Sequence, residues 1–216
     1  SKTKLQEFGV DKNKIDIIHP GINFSRFSQD IEDGKKIFSD GKFSLLTVAR
    51  IDDRKGHSLV IEAIKNLEDI EYVIAGSGPY EDEIRKKVEE LGVADKVKML
   101  GRVPDRELVN LYSNCDCFIM PSEVRRDKIE CFGIVYLEAN AAGKPVIGSD
   151  TGGVSSAIKD GETGLLAKPE SLDVKNKIQE VRENLGKFKK EARDWAKSHD
   201  WEKQIHEIDC FLGEKN

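Results

Sequence analysis

Apolar residues in this chain come in short runs separated by longer amphipathic stretches. The runs at 43–48, 71–75, 97–100, 117–120, 145–148 and 164–167 are rich in Val, Ile, Leu and Phe, with Gly, Pro or Asp at their borders. Such runs predict strands covered on both faces. Between them the period changes. Val60, Ala63, Ile64 and Leu67 fall at i, i+3, i+4 and i+7, and Ile84, Val88 and Leu91 at i, i+4 and i+7. Leu108, Leu111 and Tyr112 repeat the helical stripe over a shorter span. Strands alternating with helices imply βαβ units, hence an α/β fold with a doubly wound, mostly parallel sheet. All strand C-termini then share one edge, where such folds bind their ligands.

The ends are patterned differently. Residues 1–28 carry one short helical pattern (Leu5, Phe8) and a Pro20-Gly21 break, and read as a linker or N-terminal segment. Residues 29–170 hold the strand–helix alternation, a Rossmann-like core. Residues 171–216 are charged and helical without a strand, a tail of the same domain. Trp195, Trp201, Ile205, Ile208 and Leu212 are expected to form an apolar stripe along the final helix, packed on this domain or docked on a partner.

Composition narrows the class. The 216 residues carry a net charge of −5, and 38% are hydrophobic, enough for a sizeable core and too many for a disordered chain. Mild acidity argues against a sequence-independent nucleic-acid binder. No apolar run approaches the ~20 residues that cross a bilayer, and the start is no signal peptide. A cytoplasmic protein is expected, with the inner membrane surface as a peripheral location. The chain begins at Ser1 without Met and reads as a piece of something longer. Cys115 and Cys117 open an apolar run and are expected to be buried thiols. No second C-x-x-C or His pair completes a metal site, so neither metal nor cofactor is expected.

Three loops at the predicted ligand edge hold candidate chemistry. After the first strand come Arg50, Arg54 and Lys55, just before a helix whose first amides favour an anion. This suits a diphosphate, and equally a solvated charged loop. After the second strand, Gly76-Ser77-Gly78-Pro79 permits close ligand approach or simply makes a tight turn; Glu81 stands where a dinucleotide fingerprint needs Gly. After the fourth strand, Phe132-Gly133 leads into a helix whose first amides, at Gly133, Ile134 and Val135, lack helical partners. Glu130 precedes that helix and Glu138 lies inside it. Two carboxylates around an anion-binding helix start suit a polyhydroxylated phosphate ester such as a sugar nucleotide, or serve as a cap and a surface Glu.

These residues also carry a family resemblance. Pro20-Gly21-Ile22-Asn23 with Phe27, Val48-Ala49-Arg50 with Arg54-Lys55-Gly56, Gly76-Ser77-Gly78-Pro79, and Val97 to Gly101-Arg102-Val103 resemble successive segments of one family. So do Glu130-x-Phe-Gly with Glu138-Ala139, an E-x₇-E spacing, then Gly143-x-Pro-Val-Ile-Gly, Gly152-Gly153 and Asp160-Gly-x-x-Gly164. Together they resemble the C-terminal, donor-binding half of a glycosyltransferase family 4 (group 1) enzyme of the GT-B fold. The resemblance implies a retaining hexosyltransferase using a UDP-, GDP- or ADP-sugar. It implies that Arg50 and Lys55 neutralise the donor diphosphate, while Glu130 and main-chain groups at Phe132 and Gly133 bind the sugar. The amides of Ile134 and Val135 would meet the phosphates, Glu138 the ribose, and Arg102, Val103, Gly76 and Ser77 the base. It further implies a saccharide or lipid-linked acceptor and an N-terminal domain of the same polypeptide, without which this piece transfers nothing.

Two segments depart from the pattern. His19-Pro20 stands where Pro-Asn is common, and the loop from Ser122 to Glu130 is longer than usual. The longer loop resembles the phosphatidylinositol-mannosyltransferase branch and hints at GDP-mannose. Its Arg125 and Arg126 would meet an anionic acceptor or remain solvated. None of the four histidines sits in a catalytic context, and His57 at a helix start reads as a surface residue. Competing readings are a non-catalytic nucleotide-sugar module, a GT-B sugar-nucleotide epimerase or phosphorylase relative, and a receiver-type signalling domain, for which Asp52-Asp53 is the tempting feature.

Overall fold

The computed structural model describes residues 2–29, 37–125 and 128–213. Helix α1 (Lys2–Glu7) and the single turn α2 (Phe24–Phe27) precede β1 (Phe43–Val48). The chain then alternates through α3 (His57–Ile64), β2 (Ile70–Ala75), α4 (Glu81–Glu90), β3 (Val97–Gly101), α5 (Asp105–Asn114), β4 (Cys117–Met120), α6 (Ile134–Ala141), β5 (Val146–Ser149) and β6 (Gly164–Ala167). Three helices close it: α7 (Ser171–Glu183), α8 (Leu185–Ser198) and α9 (Trp201–Gly213).

The strands form one six-stranded parallel sheet in the order β3-β2-β1-β4-β5-β6. Five of the six strands are largely buried on both faces, which leaves little place for a polar alternation, whereas β3 at the sheet edge is only partly covered. One face packs Leu45, Tyr72, Ile74 and Ile119 against Val60 and Ile64 of α3, Ile84 of α4 and Ile178 of α7. The other packs Leu46, Val73 and Phe118 against Leu111 and Tyr112 of α5, Tyr136 and Leu137 of α6 and Ala196 of α8. The order reverses between β1 and β4, which opens a crevice at their C-terminal ends. It also separates this fold from a receiver domain, whose doubly wound sheet runs 2-1-3-4-5.

The tail departs from expectation. Trp195 lies on α8, half-buried, and donates its indole N–H to the Ala157 carbonyl at 2.8 Å. It therefore belongs to a different helix from the rest of the expected stripe. On α9, Trp201, Ile205 and Leu212 are exposed, Ile208 is half-buried and Gln204 is buried, so most of the stripe faces away from the core of this domain. The helix breaks between α8 and α9 because the linker intrudes there. Ile22 donates to the His199 carbonyl at 2.8 Å and accepts from the Trp201 amide at 2.9 Å. No helix among the described residues is long and apolar enough to cross a membrane.

Candidate active site

The loops at the strand C-termini are zipped to one another through their backbones. Ala49 donates to the Ala75 carbonyl at 3.1 Å, Ile51 to Ser77 at 3.2 Å, and Gly76 to Gly101 at 2.8 Å. Across the switch point Glu123 donates to the Arg54 carbonyl at 2.7 Å, and between the loops after β4 and β5 Gly153 donates to the Glu130 carbonyl at 2.8 Å. Glycine is required where these strands of loop touch. Gly56 has φ +75° and Gly76 φ +151°, and a Cβ on either would overlap the carbonyl oxygen of Pro121 or Ala49 respectively.

This frame divides the expected residues into three groups. Arg50, Gly76, Ser77, Arg102 and Val103 line one cleft of about 660 Å³, together with Val48, Pro79 and Leu108. The Arg50 side chain is exposed and makes no ion pair among the described residues. Lys55 and Glu130 meet instead across the β1–β4 switch point, Nζ to Oε2 at 2.5 Å, each side chain 13% exposed. Arg54 Nη1 joins the same oxygen at 3.1 Å, a partner that sequence spacing did not assign to Glu130. Removing Glu130 would leave both half-buried cations without this partner, so the cluster holds the two loops in register as well as placing a cation.

The third group starts α6. Gly133 takes φ +84° at the helix N-cap with no side-chain cap, and the amides of Ile134 and Val135 have no acceptor among the described residues. The start of α3 is similar, with Gly56 as an uncapped N-cap. Two open helix starts therefore flank the switch point, and each leaves unpaired N–H groups of the kind that suit an anion. Phe132 keeps its main chain in this turn, while its ring is buried against His19 with centroids 5.1 Å apart. Glu138 accepts a hydrogen bond from the Tyr112 hydroxyl at 2.8 Å. Burial raises its pKa above the usual carboxylate value, the tyrosine bond opposing the shift.

Two expectations are corrected or bounded here. His57 is not a surface residue; it is 1% exposed, with Nδ1 2.9 Å from the Tyr72 hydroxyl. A polar residue at a helix start ordinarily faces water, but this one turns under the loop onto the polar side chains of β1 and β2. Burial lowers its pKa to about 4, with the Lys55 charge adding to the fall and the Arg50 carbonyl opposing it. Arg125 pairs with Glu123 at 2.6 Å, and Arg126 lies outside the described residues. Cys115 and Cys117 are buried, and burial pushes the Cys115 thiol up to about 12.

The buried histidine makes stability pH-dependent. Unfolding frees it to bind a proton at 6.5, so the unfolded state holds more protons between pH 6.5 and about 4. Its contribution is present above pH 6.5 and lost as pH falls toward 4, by roughly 3 kcal/mol. Urea unfolding at pH 7 and pH 4.5 should show a larger loss for the native chain than for His57→Asn. Equal losses would place the imidazole in water.

The comparisons fit this geometry. The family model described as glycosyl transferases group 1 matches residues 28–200. A GDP-mannose-dependent α-(1-6)-phosphatidylinositol monomannoside mannosyltransferase of Mycobacterium tuberculosis is 32% identical over 169 residues, 74% of this chain and 44% of that protein. A D-inositol 3-phosphate glycosyltransferase of Mycolicibacterium smegmatis is 29% identical over 215 residues, 94% of this chain and 47% of that protein. The chain thus spans about half the length of these curated relatives. Among solved structures, Anabaena HepE in complex with UDP and glucose superposes with a TM-score of 0.86 at 22% identity, over 99% of this chain and 60% of that one. With a six-stranded Rossmann-like sheet of the GT-B type and a family match over most of its length, the chain belongs to the group 1 glycosyl transferases.

Proposed function

We propose that this chain is the donor-binding half of a retaining hexosyltransferase that takes its sugar from a nucleoside diphosphate. The observation that carries this reading is Lys55 set between two uncapped helix starts at the β1–β4 switch point. A fixed cation and two sets of open amides make a site suited to an anion with more than one phosphate. Around it, the cleft of Gly76, Ser77, Arg102 and Val103 takes the base, and Arg50 at its rim takes a phosphate oxygen. Glu138 binds the ribose hydroxyls. Glu130, with the main chain of Phe132 and Gly133, binds hydroxyls of the transferred sugar.

The chemistry assigned to these groups is electrostatic. Transfer with retention needs no protein nucleophile if the leaving diphosphate is stabilised as its bond to the sugar lengthens. Lys55, Arg50 and the amides of Ile134 and Val135 supply that stabilisation. The relatives dependent on GDP-mannose make GDP-mannose the first donor to test, with UDP- and ADP-sugars beside it. The acceptor, a saccharide or a lipid-linked glycan, is assigned to a second domain, because the chain spans about half of its relatives. We place the reaction on the cytoplasmic side of the membrane.

Calorimetric titration of the 216-residue chain with GDP-, UDP- and ADP-sugars tests the reading. One nucleotide is expected to bind in the millimolar range or better, and transfer by this chain alone is not expected. Glu138→Ala should weaken nucleoside and nucleotide alike by about tenfold, the worth of one charge-assisted hydrogen bond. Failure of all three donors at millimolar concentration would overturn the donor site.

A further inference from the structure

We propose that His57, acting through Tyr72 and Thr47, is a positioning residue for the loop that meets the donor diphosphate, and that it acts as the neutral tautomer protonated on Nδ1. The proposal rests on the donor-site reading above.

The buried polar groups form a chain of three contacts. His57 Nδ1 is 2.9 Å from the Tyr72 hydroxyl, which is 2.9 Å from Thr47 Oγ1, and Thr47 Oγ1 donates to the Ile119 carbonyl. All four residues belong to the face of the sheet covered by α3 and are shut from water. Counting protons settles their order. A carbonyl only accepts, so the Thr47 proton goes to Ile119. The Tyr72 proton then goes to Thr47, and the tyrosine oxygen must receive the proton of His57 Nδ1. The reverse tautomer would leave the Tyr72–Thr47 or the Tyr72–His57 contact without a proton, at a buried site where an unmade bond is costly. In the assigned tautomer, Nε2 keeps a lone pair and makes no hydrogen bond; the Arg50 carbonyl, which favours the charged ring, is the acceptor that a proton on Nε2 would use instead.

The chain of bonds ties four elements that the donor site uses. It starts at the first residue of α3, two positions after Lys55. It passes through β2 and β1 and ends on β4, whose following loop carries Glu130. It therefore sets the depth of the α3 start against the strands that deliver both catalytic loops. A shift of the helix start would carry Lys55 and the open α3 amides away from the phosphates more than it moves the base cleft, whose Gly76, Ser77, Arg102 and Val103 stand on the loops after β2 and β3. Misplacement by about 1 Å is enough to cost 10²-fold in a well-oriented site.

The test pairs spectroscopy with binding. Long-range ¹H–¹⁵N spectra of the ¹⁵N-histidine-labelled chain are expected to show one neutral ring protonated on Nδ1. Tyr72→Phe and His57→Gln are expected to lower affinity for GDP, UDP or ADP, whichever binds, by about tenfold while leaving the matching nucleoside unchanged. His57→Asn places an amide donor where Nδ1 stood and should restore affinity to within about twofold of the native chain. A ring protonated on Nε2, or equal diphosphate affinity in all four proteins, overturns the positioning role and leaves the donor site standing. If Tyr72→Phe fails to fold, the Asn and Gln pair decides alone. A native chain that binds none of the three diphosphates overturns the donor site and the positioning role together.

Discussion

Lys55→Ala is expected to lower the affinity of the chain for its nucleoside diphosphate by about 10- to 100-fold, while affinity for the nucleoside changes by less than about twofold. The reason lies in where the charge stands. Lys55 Nζ is 2.5 Å from Glu130 Oε2, beside the open start of α3, whereas the base cleft is lined by other residues. A charge-assisted bond to phosphate contributes about 1.5–3 kcal/mol, and that contribution vanishes for a ligand without phosphate. Glu130 keeps Arg54 at 3.1 Å, so the variant retains a partner for the buried carboxylate and should fold. In the complete enzyme the same change should reduce turnover by about 10²-fold, the usual cost of removing one preorganised donor. Titration with GDP and guanosine, or the corresponding uridine or adenosine pair, reads the difference. Equal loss for nucleotide and nucleoside would sink the role of Lys55 at the diphosphate.

Gly56→Ala should be among the most damaging single methyl groups that can be added to the site, with Gly76→Ala beside it. Gly56 combines φ +75° with a Cβ position that overlaps the Pro121 carbonyl oxygen. The left-handed backbone costs an alanine about 1–2 kcal/mol, and forcing the two loops apart adds about 1–3 kcal/mol. The sum, about 2–5 kcal/mol, corresponds to a fall in Tm of roughly 4–20 °C for a domain of this size. Separation of the loops also moves Lys55 from Glu130, so diphosphate binding should fall with stability. Gly41→Ala is the control, since Gly41 shares a positive φ of +76° but has nothing within 4 Å of its Cβ position. Thermal unfolding followed by circular dichroism should rank Gly56→Ala well below it. Similar Tm values would mean that the loops do not touch as described.

Much of the fold was legible because it is written locally. The apolar runs at 43–48 and 117–120 became β1 and β4 residue for residue, since a strand buried on both faces can only be a continuous apolar run. The stripes around Val60 and Ile84 became α3 and α4 for the same kind of reason. Most of the candidate site was legible through spacing: Gly133 had to turn the chain into α6, and its amides had to open on the ligand edge.

Elsewhere the local pattern was ambiguous. The period of Trp201, Ile205 and Leu212 is the same whether that face packs inward or stays exposed, and only the placement of α9 shows that it is exposed. Trp195 fell on a separate helix because Ile22, far away in sequence, pairs with His199 and Trp201 and breaks the helix there. Arg54 and Lys55 are neighbours that read equally as diphosphate ligands or as solvated charge, and that they share Glu130 across the switch point is seen only in the structure.

By itself, the sequence determined the order of strands and helices, the ligand edge and the residue types available there, because periodicity and glycine placement act over a few positions. The tertiary structure decided which of those residues meet. It put Lys55 on Glu130 and Arg50 in the cleft, and it turned His57 under the loop onto Tyr72. Burial and pairing belong to partners brought together from distant strands, and no short stretch of sequence contains both halves of such a contact.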